Sequence, residues 1–234
     1  TSGATSIAWA GLFRWTNCSA RLEQVGMPMS LCLFLSVTNT QDSADFEPLK
    51  LESLLSEVKG VIRRAIHMPA SLPGRDPFLS AEQAPHCVIQ LYFANLDGLE
   101  FAMCADGPLA SLIDASTSAD CHWTQQAMLV RRFAVAQGSP ASSARLERAT
   151  YLVAYEGKAQ DDEAWLAHYI RQHPPLMAKL PGIREVEVYT RIDYCSDLRA
   201  ERVRTLQRNK VVFDSMAALS DALASPLREE LRKD

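Results

Sequence analysis

Trp165, Tyr169 and His173 stand at four-residue intervals. On a helix that spacing puts all three on one stripe. An imidazole titrates near neutrality and suits general acid–base work, and a phenol beside it can polarise a carbonyl oxygen. Pro174 follows His173 directly and disfavours helical geometry for the residue before it, so a helix end or bend is expected at His173. Two readings stay open for this histidine: a proton shuttle, or a structural imidazole bonded to a carbonyl. His168 falls on a different face, and His86 and His122 have no motif around them.

The stretch from Gly182 to Ile192 reads as a strand, and its side chains sort with period two. Val186 and Val188 suit a helix-covered face. Glu187, Tyr189 and Arg191 fall on the other face, looking into a cavity or, at an exposed end, into solvent. Tyr151 and Tyr155 share one strand face, and Gln90 and Tyr92 share another. Buried Tyr and Gln need partners, and a ligand cavity is one place to find them. The expected catalytic pair is thus His173 and Tyr169. The expected substrate-binding set is Trp165, Tyr151, Tyr155, Glu187, Tyr189, Arg191 and Tyr92.

Other chemistries leave no trace. There is no G-x-S-x-G elbow, no phosphate-binding glycine loop and no dinucleotide fingerprint. No His, Cys and Asp cluster has metal-ligand spacing, so neither a metal nor a cofactor is expected. The net charge of −4 argues against a nucleic-acid partner, which needs concentrated positive charge. The densest basic stretch, Arg199, Arg202, Arg204, Arg208 and Lys210, reads as a solvated loop or helix face. Six cysteines without a C-x-x-C pair, and no basic leader at the start, suggest reduced thiols in the cytoplasm. No apolar run is long enough for a membrane span.

The elements that must position these residues repeat. Leu31 to Val37 is expected to be a strand, Pro48 to Ile66 a helix, and Val88 to Ala94 and Leu99 to Met103 a hairpin around Asn95-Leu96-Asp97-Gly98. Pro108 to Ala115 is expected as a helix and Ala127 to Val135 as a strand, which makes βαββαβ, the ferredoxin-like order. Residues 136–149, rich in Gly, Ser and Pro, read as a linker between a first half, 1–135, and a second, 150–234. The second half reads as βαββα and lacks its fourth strand. Ile7 to Trp15 either fills that vacant edge or is an independent extension.

The run Trp165 to Ile183, with Trp165, Tyr169, His173, Leu176 and Leu180-Pro181-Gly182, resembles the EthD family. Phe213 and the Ser215–Leu223 segment resemble that family's later element. The match spans Thr150 to about Asp234. The first half carries an echo in His67, Pro69 and Leu72-Pro73-Gly74, with different spacing and no aromatic partners. The resemblance implies an α+β fold of two ferredoxin-like βαββαβ halves forming an intrachain dimeric α+β barrel with an inter-sheet cavity. It implies a small-molecule enzyme performing dehydration, isomerisation, cyclisation or decarboxylation on a small cyclic or aromatic compound. The alternatives are a non-catalytic small-molecule-binding or accessory protein, and a barrel holding haem through an axial histidine. A small organic molecule is the expected partner, with homodimerisation left open.

Overall fold

The structure, a computed structural model, describes residues 6–15, 29–39, 48–70, 85–116, 121–136, 148–157 and 160–233. Most of the expected linker, along with Cys18 and Leu72-Pro73-Gly74, lies outside the described residues. The strands are β1 (Ser6–Trp15), β2 (Ser30–Asn39), β3 (Val61–Pro69), β4 (Cys87–Phe93), β5 (Cys121–Phe133), β6 (Arg148–Glu156), β7 (Ile183–Arg191), β8 (Glu201–Arg202) and β9 (Gln207–Phe213). They form one sheet in the order β2-β4-β3-β1-β6-β9-β7-β5, and β5 pairs back with β2. Among the described residues this closes an antiparallel barrel of eight strands, with the two-residue β8 added in parallel to β5. Closure leaves no long strand edge with unpaired N–H and C=O groups.

The helices are short and lie outside the barrel: α1 (Pro48–Ser56), α2 (Leu96–Ala102), α3 (Pro108–Ser116), α4 (Asp162–Met177), α5 (Met216–Leu223) and α6 (Leu227–Lys233). No helix among the described residues is long and apolar enough to cross a membrane. Alternate residues along each strand divide the core. One outer cluster joins Leu33, Leu35, Ile66, Ile89 and Leu91 to Leu51, Leu55, Leu99 and Leu109 of the first three helices. A second joins Val186, Val188, Val211 and Phe213 to Tyr169, Met177 and Leu219. The lumen holds Phe13, Cys32, Phe34, Tyr92, Met128, Leu152 and Tyr189.

This architecture corrects the expected α+β plan. The dimeric α+β barrel of two ferredoxin-like βαββαβ halves required two facing sheets. Instead β1 pairs with both β3 and β6, and β5 pairs with both β2 and β7, so all strands belong to one closed sheet, and the fold is mostly strand. The segment Ile7 to Trp15 does lie beside β6, running antiparallel from Ser6↔Glu156 to Trp15↔Arg148.

Individual elements also differ from expectation. The long helix from Pro48 stops at Ser56, and Gly60 (φ 79°) turns the chain into β3. The apolar residues beyond it, Val61 and Ile66, are β-branched and face the outer core, while Arg63, Ala65 and His67 face inward. Leu99 to Met103 is not a strand. Asn95 caps α2 by accepting a hydrogen bond from Gly98 N at 2.9 Å, and Leu99, Ala102 and Met103 bury one helical face. α4 runs to Met177, the end expected for a helix from Asp161, and it continues through Pro174 and Pro175 without ending at His173. Tyr169, Pro174 and Met177 are buried together on its inner side, and that packing outweighs the missing N–H.

Phe13 is fully buried in the lumen. Phe13→Ala is expected to cost roughly 3–5 kcal/mol in denaturant unfolding. Deleting residues 1–16 removes β1 from between β3 and β6, and calorimetry should then show loss of the cooperative transition. A truncated protein that melts unchanged would contradict the closed barrel.

Candidate functional site

Strand alternation turns Glu187 and Tyr189 of β7 into the lumen, opposite β3 and β4. Arg63 crosses the barrel to meet them. Its Nη1 donates to Glu187 Oε1 at 3.1 Å and its Nη2 to Glu185 Oε1 at 2.6 Å. Lys210 Nζ lies 2.6 Å from Glu187 Oε2 and 2.8 Å from Glu185 Oε1, and donates to Tyr92 OH at 2.9 Å. Arg132 Nε donates to Glu187 Oε1 at 2.9 Å. The hydroxyls of Tyr92 and Tyr189 donate to Glu187 Oε2 at 2.6 and 2.5 Å. Gln90 Nε2 donates to Tyr189 OH at 2.8 Å, so its Oε1 accepts from His67 Nε2 at 2.7 Å, which fixes the tautomer of that imidazole.

Electrostatics follow from this enclosure. Burial pushes the Glu187 carboxyl up, but Arg63, Lys210 and Arg132 together outweigh it and hold the group well below the carboxylate range. Burial, helped by Lys210, lowers His67 to about 3 and keeps it neutral. Burial also raises Tyr92, Tyr189 and Cys32, which keeps all three protonated. These bonds cross the lumen from wall to wall, beside the apolar side chains of Phe13, Phe34, Met128 and Leu152.

A second constellation lies outside the barrel, at the seam between α4 and β6/β9. Asp161 accepts from Ala164 N at 2.9 Å and starts α4, with Asp162 and Glu163 favourably placed in its first turn. The helix then lays Trp165, Tyr169 and His173 along the sheet. Trp165 stacks on Tyr169 with ring centroids 5.1 Å apart, Tyr169 meets His173 at 4.7 Å, and Tyr155 of β6 meets Tyr169 edge-on at 5.5 Å. Asn209 Nδ2 donates to Tyr169 OH at 2.5 Å, and Tyr169 OH donates to Tyr155 OH at 3.4 Å. Burial raises the Tyr169 phenol well above its ordinary value, so it stays protonated and acts as a donor. His173, Tyr155 and Trp165 are only half-buried and face an approach from solvent.

The third feature is a cavity of about 330 Å³ at the barrel end where β7 stops, under the segment 192–206. Arg191, Asp193, Tyr194, Arg202 and Arg204 surround it, and Gln126 lies at its inner side.

The wall of the barrel therefore divides the residues picked from sequence. Tyr92, Glu187 and Tyr189 meet in the lumen. Tyr155, Trp165, Tyr169 and His173 meet at the seam, and Tyr151 packs in the same outer cluster. Arg191 belongs to the end cavity and joins neither group. His67 sits within β3 in the lumen rather than at a helix end. The basic stretch is not a solvated face throughout, since Arg208 and Lys210 are buried inside the barrel. Arg63 and Asn209 are partners that the sequence did not single out, whereas Gln90 shares a strand face with Tyr92 as expected, and Lys210 was expected only as part of a solvated basic stretch. The alternation Arg63/Ala65/His67 was the available signal for β3, but the neighbouring helical stripe masked it. Among the described residues no group of three or more His, Cys, Asp or Glu could hold a metal ion.

No family model matches the chain, so the EthD-like resemblance stands without that support, and no curated protein matches its sequence. A crystal structure from Lactobacillus acidophilus NCFM, of a protein provisionally assigned as a monooxygenase, is similar in fold. It shares a TM-score of 0.51 and 13% identity, over 88% of this chain and 86% of that one. At such identity the likeness is one of fold.

Two outcomes test the lumen. Glu187→Gln removes the charge partner of Arg132 and leaves Arg63 and Lys210 with Glu185 alone, and should cost about 3–5 kcal/mol at neutral pH. Acidification should destabilise the fold in two stages. His67, at about 3 when folded against 6.5 unfolded, contributes fully above pH 6.5 and progressively less as pH falls from there toward 3. Glu187 contributes fully above its ordinary 4.5 and loses that contribution as pH falls through its lower folded value. His67→Gln, which preserves a donor to Gln90, should abolish the first stage. Wild-type stability that is flat from pH 6.5 down to about 5 would refute the neutral buried imidazole.

Proposed function

We propose that the protein is an enzyme acting on a small cyclic or aromatic organic molecule at the α4 seam, by acid–base chemistry of the dehydration, isomerisation, cyclisation or decarboxylation type. The observation that carries this reading is the convergence on Tyr169: Asn209 and Tyr155 on its hydroxyl, Trp165 and His173 on its ring. Asn209 donates to the phenol oxygen, which leaves the phenol's proton to donate toward Tyr155. The contact that this proton makes to Tyr155 is long, at 3.4 Å, and a substrate carbonyl oxygen is a better acceptor for it. Trp165 and Tyr155 offer flat walls for a ring. His173 then takes or returns the proton at the carbon or hydroxyl being transformed. No cofactor is required for these steps.

The provisional monooxygenase assignment of the structural neighbour favours a second reading, oxygen insertion into a similarly sized substrate. A third outcome is binding without turnover. One experiment separates them. Cyclic and hydroxyaromatic ketones are incubated with the protein, with and without oxygen, and products are followed by mass spectrometry. Turnover should persist without oxygen. His173→Ala should lower it by about 10²–10⁴-fold while the thermal transition is unchanged. Tyr169→Phe should lower it by about 10²–10³-fold. Full activity in His173→Ala overturns the proposed role, strict oxygen dependence favours the second reading, and retained binding without product favours the third.

A further inference from the structure

We infer that the cavity at the barrel end is a binding site for a small organic anion, a carboxylate or phosphate carried on an apolar body. The charge around it is unbalanced: Arg191, Arg202 and Arg204 face a single carboxylate, Asp193. The three arginines are not equivalent. Arg202 is committed to the wall, donating to the carbonyls of Tyr194 at 2.9 Å and Ser196 at 3.2 Å and stacking 4.6 Å over the Tyr194 ring. Arg191 and Arg204 are exposed and have no ion-pair partner among the described residues. Their forked guanidinium groups are suited to a carboxylate or phosphate.

The wall is built in advance. Gln125, almost wholly buried, donates from Nε2 to the carbonyls of Leu198 at 3.2 Å and Ala200 at 2.8 Å, and accepts from Ser196 Oγ at 2.7 Å. Val203 N donates to the Gln125 carbonyl at 3.2 Å. At the inner side, Gln126 Nε2 donates to the Thr205 carbonyl at 2.7 Å, and Gln126 Oε1 accepts from the buried Arg208 at 3.4 Å, adding positive charge behind the cavity. Ile192 and Tyr194 contribute apolar surface to the lining. A volume of about 330 Å³ matches the lower end of small-molecule pockets, so the ligand has a ring or short chain besides its charge.

The site shares no lining residue with the α4 seam, and the inference does not rest on the enzyme reading. Benzoate, phenyl phosphate, inorganic phosphate and neutral benzyl alcohol are titrated into the full chain, with backbone amide shifts as readout. Benzoate or phenyl phosphate should shift the amides of 191–204 saturably, and more weakly at higher salt. The double variant Arg191→Gln/Arg204→Gln should bind at least about 10-fold less tightly, while Arg191→Lys/Arg204→Lys, which keeps the charge and loses the fork, recovers only part of the loss. His173→Ala should bind as wild type does. Which of the two organic anions binds better identifies the head group. Inorganic phosphate binding as tightly as phenyl phosphate overturns the organic ligand. Equal binding of benzyl alcohol, or no saturable shift with any of the four, overturns the site.

Discussion

A carboxylate at the centre of the barrel governs the rest of the structure. Glu187 is fully buried and gathers Arg63, Arg132, Lys210, Tyr92 and Tyr189 onto its two oxygens. Removing this charge from water is costly, and only a full set of donors offsets it. The donors come from β3, β4, β5 and β9, so satisfying one side chain ties together strands from around the ring. The net contribution of such a cluster to stability is small, whereas removing one partner from it is costly. A one-residue slip of β7 would turn Glu187 out beneath α4, toward Val211, Phe213 and Tyr169, and turn Val186 and Val188 inward against Arg63 and Lys210.

The bonds to Glu187 cross the lumen, while two other groupings of polar and aromatic side chains, the seam under α4 and the end beneath 192–206, lie on surfaces that the barrel organises. At the seam, rigidity comes from β9: Asn209 presents its amide outward while Lys210, the next residue, anchors inward. Neighbouring positions of one strand thus serve opposite faces of the wall. At the end, the segment 192–206 has only the two-residue β8 and is held largely by the buried amides of Gln125 and Gln126 and by Arg202.

Some of this was legible in the sequence. The faces of β7 followed from period two, and α4 from its aromatic stripe and the acidic residues of its first turn. Other parts were not. The stripe from Leu51 to Ile66 fits helix and strand equally once Gly60 is allowed a positive φ, and only the pairing of β3 with β4 and β1 decides between them. Asn95 to Gly98 has the composition of a hairpin turn, yet the same asparagine caps a helix when Leu99 and Met103 have a core to enter. Only Val211 to Phe213 of β9 reads as strand in the sequence, because the preceding polar run Gln207 to Lys210 carries hydrogen-bonding groups on both faces, one set for the lumen and one for the seam.

The sequence by itself determined which side chains share a face of β7 and that Trp165, Tyr169 and His173 form one stripe, because helix and strand periods are local properties of the backbone. Tertiary structure alone decided that the strands close into one barrel, that Glu187 and Tyr189 face a packed lumen while His173 stays outside it, and that Arg191 belongs to a third place. Strand edges and buried charges are completed by partners far along the chain: Arg63 lies 124 residues from Glu187, and no local pattern states that the two must meet.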